Sequence, residues 1–212
     1  MKQTIARRLL SIGAVFLRPE DPFTWASGIK SPVYTDNRLI LTAPTVRSEV
    51  ESAIADTVRR EFPECEVLMG TATAGIAHAA IAAHLMNLPM GYVRSSSKDH
   101  GRQNRIEGHL EPGDKVVVIE DLISTGGSVI QTVDALREFG AEVLGVVSIF
   151  TYNMARGKEA LQNAGIKAVS ITDLDALCEA AAAEGYIAES DIARVLKFRD
   201  DPLDESWMEA GE

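Results

Sequence analysis

From residue 67 to residue 171 the chain alternates short apolar runs with stretches of helical period, and this rhythm constrains the fold more than any other feature. The runs are VLM (67–69), PMGYV (89–93), VVVI (116–119), VLGVVSIF (143–150) and AVSI (168–171), with helical patterns at 76–87, 127–139 and 157–163 between them. Near-continuous apolar runs suit strands buried on both faces, and the helices supply the crossovers that parallel strands require. The expectation is an α/β chain with a central parallel sheet flanked by helices.

Two further helices are expected ahead of the sheet, at 4–17 and 44–62. In the second, Val46, Val50, Ile54 and Val58 recur every four positions, Pro44 stands where a first-turn proline is tolerated, and Thr42 is placed to cap. Helices at 174–184 and 190–198 should precede an acidic tail, DDPLDESWMEAGE, that solubilises or packs. No repeat, low-complexity tract or linker rich in Pro, Gly or Ser divides the chain. One domain over 1–212 is expected, with an N-terminal region (1–43), a core (44–171) and a C-terminal helical extension (172–212).

Composition narrows the function. A chain of 212 residues, 46% apolar and 25% charged, can enclose a sizeable core. Its 21 basic against 31 acidic residues give a net charge of -10, which repels polyanions. Nucleic-acid binding is therefore not expected, and any phosphate site must be local. Cys65 and Cys178 form no CxxC pair, which argues against a zinc site, a redox pair or a disulfide framework and fits a reducing cytoplasm. No apolar run approaches the roughly 18 residues of a membrane-spanning helix, so no membrane partner is expected. The N-terminal apolar patch runs into Arg18, Glu20 and Asp21 and reads as a helix of the mature chain. His78 and His84 are six positions apart, the wrong spacing for paired metal ligation on a helix, and are expected to pack. His109 has no assigned role.

The chemistry is concentrated in VVVIEDLISTGGS, residues 116–128. A buried strand delivers Glu120 and Asp121 to the carboxyl edge of the sheet, where open α/β folds bind ligands. Ser124, Thr125, Gly126, Gly127 and Ser128 then lead into a helix whose backbone N–H groups and partial positive charge suit a phosphate. A tight capped turn would by itself explain STGGS, but it would not explain two adjacent carboxylates, which are costly together unless they meet hydroxyls, a metal or a developing cation. A ribose phosphate offers both hydroxyls and phosphate. Rival motifs fail: Gly108 and Gly113 have P-loop spacing, but Asp114 stands where lysine is needed, and no GxGxxG follows a strand. The polar stretch 94–108, RSSSKDHGRQNRIEG, reads either as a solvated linker or as a lid.

These residues carry a resemblance. Block 116–128 resembles the phosphoribosyl-diphosphate (PRPP) motif of type I phosphoribosyltransferases. FTWASGIKSPVYTDNR (23–38) and YVRSSSKDHGRQNRIEG (92–108) resemble the N-terminal signature and mobile catalytic loop of the orotate phosphoribosyltransferase family. The three segments cover about a fifth of the chain. The resemblance implies a type I phosphoribosyltransferase-like fold with a small N-terminal hood, and transfer of phosphoribosyl from PRPP to orotate in pyrimidine biosynthesis. It implies that Glu120 and Asp121 hold the ribose hydroxyls, that residues 124–128 hold the 5'-phosphate, and that Leu122 and Ile123 complete that PRPP segment. Thr71 and Ala72 would lie in the diphosphate turn, GTATAG (70–75). Ser124, Tyr34 and Thr35 would meet orotate. Arg94, Lys98 and His100 would act with Asp121 as the catalytic set, the first three reaching the diphosphate of a neighbouring subunit in a homodimer. Mg²⁺ would be carried mainly by PRPP, with no protein metal site. A purine-type phosphoribosyltransferase and a non-catalytic PRPP-binding regulator are the alternatives.

Some relatives carry lysine where this chain has Ala26, Ala74 and Ser95, which shifts weight onto Arg94, Lys98 and Mg²⁺. Arg156 matches an orotate-contacting arginine in some relatives, but its surroundings match poorly and it is left out of the site. If Lys98 stabilises the departing diphosphate, Lys98→Ala should lower kcat by two to three decades, roughly 3 to 4 kcal/mol. A steady-state rate within about a factor of two of the parent, well inside that range, would remove Lys98 from the lid.

Overall fold

The structure is a computed structural model that describes residues 1–25, 28–94 and 105–209. Helix α1 (Lys2–Ser11) leads into a hood of four short strands, β1 (Val15–Leu17), β2 (Phe23–Thr24), β3 (Lys30–Ser31) and β4 (Val33–Thr35). Within the hood β1 pairs antiparallel with β4, and β2 with β3. A 3-10 turn, Asn37–Thr42, precedes α2 (Pro44–Glu61). The sheet and its crossovers follow: β5 (Val67–Thr71), α3 (Gly75–Met86), β6 (Met90–Val93), β7 (Ile106–Glu107), β8 (Lys115–Ile123), α4 (Gly127–Phe139), β9 (Glu142–Thr151), α5 (Ala155–Asn163) and β10 (Ala168–Asp173). Helices α6 (Leu174–Ala183) and α7 (Asp191–Asp200) and a 3-10 turn, Glu205–Met208, close the described chain.

The six-stranded sheet has the order β10-β9-β8-β5-β6-β7. Every pairing is parallel except that of β7, which runs antiparallel to β6 at the edge. The alternation of a strand sorts β8 between two apolar layers. Val117 and Ile119 join the layer that holds Ile5, Val50, Ile54 and Leu177, and Val116 and Val118 join the one that holds Val129, Val133 and Leu136. Both faces of the central strand are thus covered, as its unbroken apolar run requires. Among the described residues no helix is long and apolar enough to cross a membrane.

Four local expectations need correction. The first helix stops at Ser11 instead of continuing to residue 17, because Gly13 takes a left-handed φ of +67° and Val15–Leu17 pairs with β4. Thr42 does not cap α2, because its hydroxyl donates to the Leu39 carbonyl at 3.0 Å and closes the 3-10 turn; the residue at the cap is Ala43. His84 is exposed, whereas His78 is buried. Strand β8 continues past Ile119 to Ile123, because β9 offers partners as far as Thr151, so the acid pair lies within a strand. The tail packs: Trp207 is among the largest fully buried side chains.

His78 of α3 and Glu51 of α2 form a buried polar contact, Nδ1 to Oε1 at 2.6 Å. Burial raises the Glu51 carboxyl above its ordinary range, and the contact with His78 opposes that rise. Removing one partner strands the other in the core, where an unsatisfied polar group costs about 1 to 3 kcal/mol. Glu51→Ala should therefore lower the unfolding free energy by about that amount in urea titration with the m-value unchanged.

Candidate active site

The carboxyl end of β8 sets the acids at different depths. Glu120 is 4% exposed, and its Oε1 accepts the Asp121 backbone N–H at 3.0 Å while Ser128 Oγ lies 3.5 Å from Oε2. Burial, reinforced by the neighbouring Asp121 carboxylate, pushes the Glu120 carboxyl up to about 8. Asp121 lines an open cleft. The electrostatic cost of adjacent carboxylates is thus relieved by keeping a proton on the buried one near neutral pH.

Past the acids, Ser124, Thr125 and Gly126 form the turn into α4. Gly126 has a left-handed φ of +82° and accepts the Ile130 N–H at 3.0 Å, so the helix begins directly at the turn. A Cβ on Gly127 would meet nothing within 4 Å, which leaves the first helical turn open to a ligand. Behind the turn, a Cβ on Gly157 of α5 would lie 2.3 Å from the Ser124 carbonyl oxygen. Only glycine lets α5 support the turn so closely. Thr125, Gly127 and Ser128 are exposed, as a phosphate cradle needs. Leu122 is half-buried, and the Ile123 side chain sits in the core while its carbonyl accepts the Tyr152 N–H at 3.1 Å. Those two residues have little besides backbone to offer a ligand.

Thr71 and Ala72 lie at the end of the neighbouring strand β5. Thr71 is buried with its side chain beside Glu120, and the Ala72 N–H donates to the Val93 carbonyl at 3.0 Å. The Ala72–Thr73 peptide is cis. A Cβ on Gly75 would lie 2.5 Å from the Ile119 carbonyl oxygen, so α3 starts in direct contact with β8.

The cleft of about 920 Å³ lies between this turn and the hood, lined by Thr35, Asn37, Arg38, Thr73, Ala74 and Asp121 among others. Two of these residues, Asn37 and Arg38, carried no role in the sequence. Asn37 is buried and its Nδ2 donates to the Asp121 carbonyl at 2.8 Å, fixing the backbone under the acid. Arg38 is clamped by Asp36 through Nε at 2.6 Å and Nη2 at 2.8 Å, and the pairing lowers the Asp36 carboxyl below its usual range. Their signal was their place in the TDNR end of the N-terminal signature. Thr35 accepts a hydrogen bond from the buried Tyr152 hydroxyl at 3.2 Å, whereas Tyr34 is exposed beside Phe23 at 5.5 Å between ring centroids.

The structure brings the acid pair, the 124–128 turn and the 71–75 turn to one sheet edge, with Thr35 across the cleft. Lys98, His100 and Ser95 lie outside the described residues, as does Ala26. Arg94 stands at the base of that stretch: its N–H donates to the Arg105 carbonyl at 2.8 Å, and Arg105 Nε returns a bond to the Arg94 carbonyl at 2.9 Å. The Arg94 guanidinium is 3.5 Å from the Glu107 carboxylate. Arg156 is exposed in the first turn of α5.

Because the raised Glu120 carboxyl binds a proton more tightly in the folded chain than in the unfolded one, stability falls as pH rises from the ordinary glutamate range towards about 8. Glu120→Gln removes this dependence. In thermal scans the variant should gain on the parent by on the order of ten degrees between pH 5 and pH 9, most of it before about pH 8. A pH-independent difference would show that burial does not hold the proton on Glu120.

Comparison with known proteins bears on the whole chain. Residues 39–173 match the family model described as the phosphoribosyl transferase domain. An orotate phosphoribosyltransferase of Bacillus cereus (strain G9842) is 54% identical over 210 residues, 99% of this chain and 100% of that one. Among solved structures, an orotate phosphoribosyltransferase from Aeropyrum pernix superposes with a TM-score of 0.74 at 29% identity, covering 87% of this chain and 99% of that one. Leishmania donovani UMP synthase gives a TM-score of 0.80 at 27% identity over 93% of this chain, which corresponds to 42% of that longer protein. On a likeness that runs from end to end of both the bacterial relative and this sequence, the chain belongs to the phosphoribosyl transferase family, in its orotate phosphoribosyltransferase branch.

Proposed function

We propose that this enzyme transfers the 5-phosphoribosyl group of PRPP to orotate, giving orotidine 5'-monophosphate and diphosphate. The observation that carries the reading is the union, on one sheet edge, of an open turn at a helix N-terminus and an acid pair whose outer member, Asp121, lines a cleft beneath the hood. The N1–C1' bond forms as the C1'–O bond to diphosphate breaks, so catalysis means stabilising an oxocarbenium-like sugar on one side and a departing anion on the other. Asp121 supplies negative field to the sugar. Glu120, protonated for much of the time near neutral pH, meets a ribose hydroxyl as donor or acceptor. Ser124, Thr125, Gly126, Gly127 and Ser128 anchor the 5'-phosphate and so fix C1' relative to the nucleophile. Tyr34, Thr35 and Ser124 border the orotate ring, whose reacting nitrogen is already deprotonated.

Arg94, Lys98 and His100 are assigned to the diphosphate, with water excluded as they close over it. Among the described residues no cluster of three or more His, Cys, Asp or Glu side chains could cage a metal. The donors on the cleft fit Mg²⁺ that arrives on PRPP oxygens, with Asp121 as the carboxylate to face it, and the ion would supply charge neutralisation of the diphosphate. The family reading also supports a cytoplasmic homodimer with shared sites and a single catalytic domain over 1–212.

An ultraviolet assay of orotate consumption tests the reaction. Loss of absorbance should require both PRPP and Mg²⁺; turnover of adenine or hypoxanthine in place of orotate would overturn it. Mixing Lys98→Ala with Asp121→Ala should regenerate part of the activity if each site draws its lid from the partner subunit. No recovery despite proven subunit exchange would place lid and site in one chain.

A further inference from the structure

The segment beyond residue 172 lies far along the chain from the phosphate turn, yet its contacts lead to the hood. Trp207, 1% exposed, meets Phe198 of α7 edge-on at 5.7 Å between ring centroids. Phe198 meets Trp25 at 5.6 Å, Trp25 meets Tyr152 at 5.8 Å, and the Tyr152 hydroxyl donates to Thr35 at 3.2 Å. An unbroken aromatic series thus joins the tail to a residue of the cleft.

A polar tie runs beside it. Arg194 of α7 donates from Nη2 to the Pro19 carbonyl at 3.0 Å and from Nε to the Trp207 carbonyl at 3.2 Å. The same guanidinium pairs with Glu20 and, at 3.1 Å, with Asp191. One side chain therefore holds the hood, α7 and the tail together. The hood needs such support, because strands of two or three residues cannot stand alone. The phosphate turn is supported differently, by α4 and α5, whose apolar contacts belong to the opposite layer of the sheet.

We propose that the C-terminal extension braces the nucleobase side of the active site: Trp207, Phe198 and Arg194 are positioning residues that hold Trp25 and Thr35 in place for orotate. The proposal rests on the reading that Thr35 borders the pyrimidine. Aromatic packing and a shared guanidinium fix distance and angle at the hood, so loosening them lowers the population of hood positions competent to bind the base. PRPP, held by β8 and α4, does not depend on them.

The test separates the two substrates. Trp207→Ala, checked for folding by circular dichroism, should raise the orotate KM about tenfold, while the Kd of PRPP from calorimetry stays within about twofold. Trp207→Phe should recover most of the loss. If Trp207→Ala does not fold, Arg194→Gln should show the same split. An orotate KM within about twofold of the parent in a folded variant overturns the brace, and so does an equal weakening of both substrates, the signature of general destabilisation. Thr35→Ala distinguishes the two readings. A raised orotate KM in the Trp207 variant with none in Thr35→Ala keeps the brace and moves the pocket towards Trp25, whereas the reverse pattern keeps the pocket and removes the brace.

Discussion

The site depends on backbone meeting backbone where no side chain intervenes. At Gly75 and Gly157 the first turns of two helices press on β8 and on the turn that follows it, at distances that a single methyl group would abolish. These contacts hold the carboxyl end of β8 from two directions and leave its third side to the cleft. The depth of Glu120, the place of Asp121 on the cleft and the opening of the 124–128 turn all follow from that confinement. Burial then does chemical work, because a carboxyl confined beside another carboxylate holds its proton.

The chain is acidic as a whole, but a polyanionic substrate does not require a basic surface. A helix N-terminus and converging N–H groups act over a few ångströms, well inside the screening length of physiological salt. The local field can therefore be attractive where the global one is repulsive. This arrangement favours a small, multiply charged ligand over an extended polyanion, since only the small one can reach the donors without lying along the acidic exterior.

Much of this was legible in the sequence, because strand, acids, glycines and helix are contiguous in 116–128 and local chemistry dictates local shape. The bounds of α4 followed from its sequence pattern and the glycine turn ahead of it. What escaped was set by distant partners. Val15–Leu17 has helical company on its N-terminal side, and only pairing with Val33–Thr35 makes it a strand. Thr42 has a capping side chain that the preceding 3-10 turn claims first. Asn37 carries no chemical signature of its own, and its role arises from a carbonyl 84 positions away. Trp207 sits in an acidic, polar tail, and nothing beside it announces that it is buried.

The β6–β7 hairpin fixes one further property of the chain. Tyr92 faces Glu107 and Val93 faces Ile106, with Arg94 and Arg105 bonded to each other beyond them. Positions 94 and 105 are therefore held side by side at the end of the hairpin, eleven positions apart along the chain. The closure entropy of a flexible segment joined to such a clasp grows only as the logarithm of its length, about 0.6 kcal/mol for each doubling. A change in the number of residues between 94 and 105 is thus buffered from the sheet, so the segment proposed to meet the diphosphate can differ in length at little cost to the strands beside it.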